Sequence, residues 1–134
     1  MGIILDTNVL IAAEQGRIDL AKISTLKNHK EVFISTITVA ELLTGVHMAK
    51  TVDERMIRSA FVQHILNEIP SLAFDEHVAR TYSELYAHFL KSRKSGPGIH
   101  DLQISATAIT HGYVVLTSNA ADFKKIPGVQ ILTP

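Results

Sequence analysis

With 134 residues, 46% of them hydrophobic and 19% charged, the chain is sized for one compact domain over residues 1–134 and is too apolar to be disordered. The 13 basic and 13 acidic side chains cancel to a formal net charge of +0, which removes the usual electrostatic footprint of a nucleic-acid binder and argues neither for nor against such a partner. The absence of cysteine excludes disulfides, thiolate zinc sites and a cysteine nucleophile, and it suits a reducing cytosol.

The chain starts Met1-Gly2-Ile3-Ile4-Leu5 and then meets Asp6. There is no basic leader, and the apolar run is too short for a signal peptide or a membrane span, so a soluble, cytoplasmic protein is expected. Residues 2–5 are continuously apolar, as a strand in a sheet covered on both faces must be. Helical patterns follow at about residues 9–15 and 18–28, then a strand at 32–35 and a helix at about 39–49. In residues 52–67, Ile57, Phe61 and Ile65 recur at four-residue spacing; in residues 76–92, Val78, Tyr82, Leu85 and Phe89 do much the same, so both segments read as amphipathic helices. Between them residues 69–74 form a strand pattern weakened by Pro70. Residues 91–98, rich in Lys, Arg, Ser, Gly and Pro, read as a loop within the domain. A helix at 99–110 ends at His111-Gly112, a strand follows at 113–116, a short helix at 120–125 and an edge strand at 128–132. No repeat of solenoid period is present. Four or five strands separated by helices imply a central parallel sheet in a three-layer α/β/α sandwich.

In such sheets, functional groups gather beyond the carboxyl ends of the strands. That rule selects Asp6, Thr7 and Asn8 after the first strand, residues 35–41 after the second, and Thr117, Ser118, Asn119 and Asp122 after the strand at 113–116. Asp101 lies in the first turn of the helix leading into that last strand, close to the same edge. Each residue also has a second reading as a helix cap or dipole partner. Asp6 or Thr7 suits the cap of the following helix, Thr38-Val39-Ala40-Glu41 matches the S/T-x-x-E capping box, Asn119-Ala120-Ala121-Asp122 is similar, and Asp101 suits a helix N-terminus.

Joint placement favours a different reading. Carboxylates pressed together must take up protons or bind a cation. Hard oxygen donors with no cysteine, and no histidine pair at ligand spacing, favour magnesium or manganese over zinc. A metal so held can bind a phosphate oxygen, acidify a water and offset charge on a leaving oxygen, which is phosphodiester chemistry. The seven histidines form no catalytic pattern; His100, beside Asp101, reads as a surface or capping residue, with a place near a bound nucleic acid as the other reading. Lys91, Arg93 and Lys94 offer phosphate contacts or a merely solvated loop. Neither GxGxxG nor GxxxxGK[ST] occurs, so nucleotide-cofactor readings lose their main support.

Leu5-Asp6-Thr7-Asn8, Thr38-Val39-Ala40-Glu41-Leu42, the run Asp101-Leu102-Gln103-Ile104-Ser105-Ala106-Thr107-Ala108, and Thr117-Ser118-Asn119 with Asp122-Phe123 follow one another in order. Over essentially its whole length the chain resembles a PIN domain, and in spacing it is similar to the VapC-type toxins of toxin-antitoxin pairs. The resemblance implies an endoribonuclease dependent on Mg2+ or Mn2+, with Asp6, Glu41 and Asp101 as metal ligands and catalytic core. Many family members carry a fourth acid where this chain has Asn119, which supplies no negative charge. Asp122 is the neighbouring acid placed to compensate, so Asn119 and Asp122 complete the expected catalytic set. The resemblance further implies an RNA substrate, transfer or ribosomal, a small antitoxin whose C-terminal segment covers the active site, and a homodimer. Other readings stand beside it. A phosphatase of the haloacid dehalogenase type needs an Asp where Asn8 stands; a non-enzymatic binding module is argued against by the intact Asp6, Glu41 and Asp101; and a nuclease of RNA processing has the same chemistry without toxicity.

Overall fold

The computed structural model describes residues 2–92 and 96–134. The elements run β1 (Gly2–Leu5), α1 (Thr7–Glu14), α2 (Leu20–His29), β2 (Glu31–Ser35), α3 (Thr36–His47), α4 (Val52–Glu68), β3 (Ser71–Leu72), α5 (Glu76–Ser92), α6 (Ile99–His111), β4 (Val114–Leu116), α7 (Ala120–Phe123) and β5 (Ile131–Leu132). The five strands form one sheet in the order β3-β2-β1-β4-β5, and every pairing is parallel.

The continuous apolar run of residues 2–5 places β1 at the centre, with all four residues buried. Successive side chains of a strand point to opposite faces. Ile3 and Leu5 accordingly join Val32, Ile34, Leu116 and the inner faces of α1 to α4, where Leu10, Ile23, Leu42 and Ile65 are buried. Ile4 and Val115 join the opposite layer with Val78, Leu85, Leu102, Ile104 and Phe123 from α5, α6 and α7. Two apolar clusters on the two faces of one sheet make the three-layer sandwich expected from the alternation of strands and helices.

Differences from the sequence reading lie at element ends. Helix α3 begins at Thr36 instead of residue 39, because the Ser35 hydroxyl accepts the Ile37 N–H at 3.0 Å and starts the helix early. Strand β3 shrinks to two residues at the sheet edge; Pro70 has no N–H to donate, and its carbonyl accepts from Ile34 N at 3.1 Å. Helix α7 stops at Phe123 and β5 keeps only two residues. Of the expected loop at 91–98, residues 93–95 lie outside the described residues, and Arg93 and Lys94 with them. Among the described residues no helix is long and apolar enough to cross a membrane.

Topology then positions the site. The chain steps outward from β1 through β2 to β3, then returns to the other side of β1 for β4. The carboxyl ends of β1, β2 and β4 therefore lie side by side where the strand order reverses, the place at which open parallel sheets present ligands.

Candidate active site

Asp6 follows β1 directly and is 1% exposed. Its backbone N–H donates to Leu116 O at 2.9 Å, which ties it to the neighbouring strand end. Although it occupies the N-cap position of α1, its side chain makes no capping hydrogen bond. One carboxylate oxygen instead accepts from the Thr117 hydroxyl at 2.8 Å, and the Thr117 oxygen accepts the Asn119 N–H at 2.9 Å. Burial pushes the Asp6 carboxyl above its ordinary range. The Thr117 hydroxyl and the nearby Thr7 and Asn8 amides oppose that rise, and the Glu41 charge adds to it.

Glu41 projects from α3. The capping box suggested by Thr38-x-x-Glu41 does not form, because Ser35 caps the helix and Thr38 lies inside it, fully buried. The Thr38 and Thr7 hydroxyl oxygens are 2.9 Å apart, and Thr7 donates to Glu41 Oε1 at 2.8 Å. A hydroxyl has one proton, so with that of Thr7 committed to the carboxylate, Thr38 is the donor to Thr7. The second carboxylate oxygen of Glu41, Oε2, lies 3.1 Å from His100 Nδ1.

Asp101 sits in the first turn of α6, behind an N-cap glycine, Gly98, that has no side chain to compete for the helix amides. Its carboxyl is pushed up to about 6, first by burial and then by the charges of Asp6, Asp122 and Glu41, with His100 acting the other way. All four carboxylates therefore share one electrostatic field. Asn119 does not cap α7 with its side chain; Asn119 Nδ2 donates to Asp122 Oδ2 at 2.8 Å, and the other Asp122 oxygen lies 3.6 Å from Lys125 Nζ.

The structure thus brings Asp6, Glu41, Asp101 and Asp122 to one sheet edge, with Asn119 touching Asp122. Among the described residues no group of three or more His, Asp and Glu side chains is closed into a ligand shell. Glu41 is turned to Thr7 and His100, and Asp122 to Asn119 and Lys125, as mutually repelling carboxylates with alternative partners should be. The donor set nonetheless fits a hard divalent cation: four carboxylates, no thiolate, and a half-buried Asp101 whose ionisation the others oppose. Thr7, Thr38 and Thr117 are hydroxyls in contact with the acids Asp6 and Glu41 or with one another, and the sequence offered Thr7 and Thr38 also as helix caps. Their one signal was position, immediately beyond strand ends that also carry an acid.

The PIN domain family model matches residues 3–129. Ribonuclease VapC1 of Rickettsia felis is 37% identical over 133 residues, covering 99% of this chain and 96% of the relative. Ribonuclease VapC of Rickettsia bellii is 36% identical with the same coverage. The crystal structure of VapBC-5 from Mycobacterium tuberculosis, a member of the VapBC family of toxin-antitoxin systems, gives a TM-score of 0.75 at 29% identity, covering 98% of this chain and 96% of that one. With its sheet order, its ordered acidic motifs and these matches, the chain belongs to the PIN domain family.

Proposed function

We propose that the chain is a divalent-metal-dependent endoribonuclease, a single nuclease domain over residues 1–134, acting in the cytoplasm as the toxin of a toxin-antitoxin pair. The observation that carries this is the gathering of Asp6, Glu41 and Asp101, from β1, α3 and α6, at the carboxyl edge of the parallel sheet, where burial and the neighbouring charges push the Asp101 carboxyl up. Acids so placed at the carboxyl edge of a parallel sheet serve no packing purpose, and a cation relieves their repulsion. The names of the two ribonuclease relatives support RNA as substrate, and the toxin-antitoxin assignment of the structural neighbour supports a cognate antitoxin.

In this reading Asp6, Glu41 and Asp101 would hold magnesium or manganese, which when bound would supply a neutralising charge and an acidified water at the phosphodiester. Thr117 keeps the Asp6 carboxylate oriented and ionisable by donating to it. Thr38 and Thr7 relay a hydroxyl to Glu41. Asn119 orients Asp122, so the negative charge that the family resemblance leads one to expect at position 119 comes instead from Asp122, three residues on. Transfer or ribosomal RNA is the substrate class, and the toxin pairs as a homodimer.

The test compares the purified chain, free of antitoxin, with Asp6→Asn on total RNA in magnesium, manganese and EDTA. Cleavage by the unaltered chain in either metal is expected, with none in EDTA and a loss of more than about 100-fold in Asp6→Asn, since even residues that only support ligands commonly cost 10–100-fold. Cleavage that survives EDTA, or equal activity in both proteins, overturns the reading.

A further inference from the structure

We propose that His100 is a positioning residue that fixes the Glu41 carboxylate from the side opposite Thr7. The inference rests on reading the acidic cluster as the nuclease site. Glu41 Oε1 accepts from Thr7, at the start of α1, at 2.8 Å, and Oε2 stands 3.1 Å from His100 Nδ1, in the first turn of α6. One carboxylate on α3 is therefore engaged on each oxygen by a group from a different element. A glutamate has three side-chain torsions and loses much rotamer freedom when ordered, so two anchors do what one cannot.

The solvent side of the pair explains the need. A groove of about 390 Å³, lined by Ile37, Ala40, Glu41, Thr44 and His100, opens beside it. Among the described residues, His100 is the side chain set against Glu41 Oε2, so its removal leaves that oxygen free to turn into the groove. His100 also adjoins Asp101 in the chain, so one helical turn delivers both a carboxylate of the cluster and the group that orients another. The contact needs a proton on Nδ1, which the imidazolium always carries and the neutral ring carries in its Nδ1–H tautomer. The imidazole is 59% exposed, so it is not part of the core and its replacement leaves the fold intact.

Three variants separate this role from its rivals: His100→Ala, which removes the contact; His100→Asn, whose side-chain N–H lies at the position of Nδ1; and His100→Gln, whose N–H reaches further. Each is assayed on a labelled oligoribonucleotide that the unaltered chain cleaves, and each is titrated with manganese alone by electron paramagnetic resonance. In His100→Ala and His100→Gln, kcat is expected to fall about 10–100-fold at nearly constant KM, and manganese binding to weaken about tenfold, as for a supporting residue behind a metal ligand. His100→Asn is expected to recover most of both. Unchanged kcat and manganese affinity in His100→Ala, no recovery in His100→Asn, or a rise in KM alone across all three overturns the proposal, the last by making His100 a direct RNA contact. Asp6→Asn serves as the control. If it cleaves normally, the nuclease reading itself fails; if it is inactive while His100→Ala is fully active, only the positioning role fails.

Discussion

Asp6 has the environment of a group kept charged at a cost: 1% exposed, repelled by Glu41, and supported by the Thr117 hydroxyl. Thr117→Val keeps shape and removes the donor. It is expected to lower cleavage about 10–100-fold and to cost about 1–3 kcal/mol of stability, read by urea unfolding, because the buried carboxylate loses its partner. The same burial sets a pH dependence. Asp6 and Asp101 both titrate above 3.8 in the folded chain, Asp101 at about 6, so the native state holds these protons more tightly than the unfolded chain does. In metal-free buffer, the stability contributed by Asp101 is therefore greatest below pH 3.8 and is lost as pH rises through about 6, and that of Asp6 is lost in the same direction. Asp101→Asn is expected to raise the thermal midpoint at pH 7.5 and leave it unchanged near pH 3.5, with both midpoints read by circular dichroism. A midpoint at pH 7.5 that falls on this substitution contradicts the electrostatic description of the site.

At the scale of elements, the acids and the positions of Thr7 and Thr117 were legible, and the bonds between hydroxyl and acid were not. Asp6 and Glu41 stand out in the sequence because a parallel sheet brings its strand ends to one edge, Asp101 because it opens the helix leading into β4, and the three as one set because of the resemblance to PIN domains. Thr38-x-x-Glu41 misleads because a capping box and a buried hydroxyl relay have the same local spelling. Only tertiary structure, with Ser35 taking the cap and Thr7 arriving from α1, decides between them. Strand β3 was over-read for a similar reason, since the apolar run at 69–74 extends beyond the two residues that the Pro70 edge lets pair. Helix α6 carries a feature that no periodicity shows: the Ser105 hydroxyl, one turn beyond Asp101, is fully buried with no hydrogen-bond partner among the described residues. Ser105→Ala is expected to stabilise the chain by about 1 kcal/mol in chemical unfolding, because it removes an unsatisfied buried group at little cost in volume. A loss of stability instead shows that the hydroxyl is bonded in solution.

For the whole molecule, a net charge of +0 supplies no overall attraction for a polyanion, so any attraction for RNA is local, as at a cation held on the carboxyl edge of the sheet. The order β3-β2-β1-β4-β5 creates that edge, and the two apolar layers on either face hold it rigid. Anomalous diffraction from a crystal of the chain grown in manganese tests the central claim most directly. The expected result is a manganese peak bound by the carboxylates of Asp6 and Asp101 with Glu41 in reach, lost in Asp6→Asn. A chain that cleaves RNA in manganese while its crystals show no ion at these three side chains contradicts it.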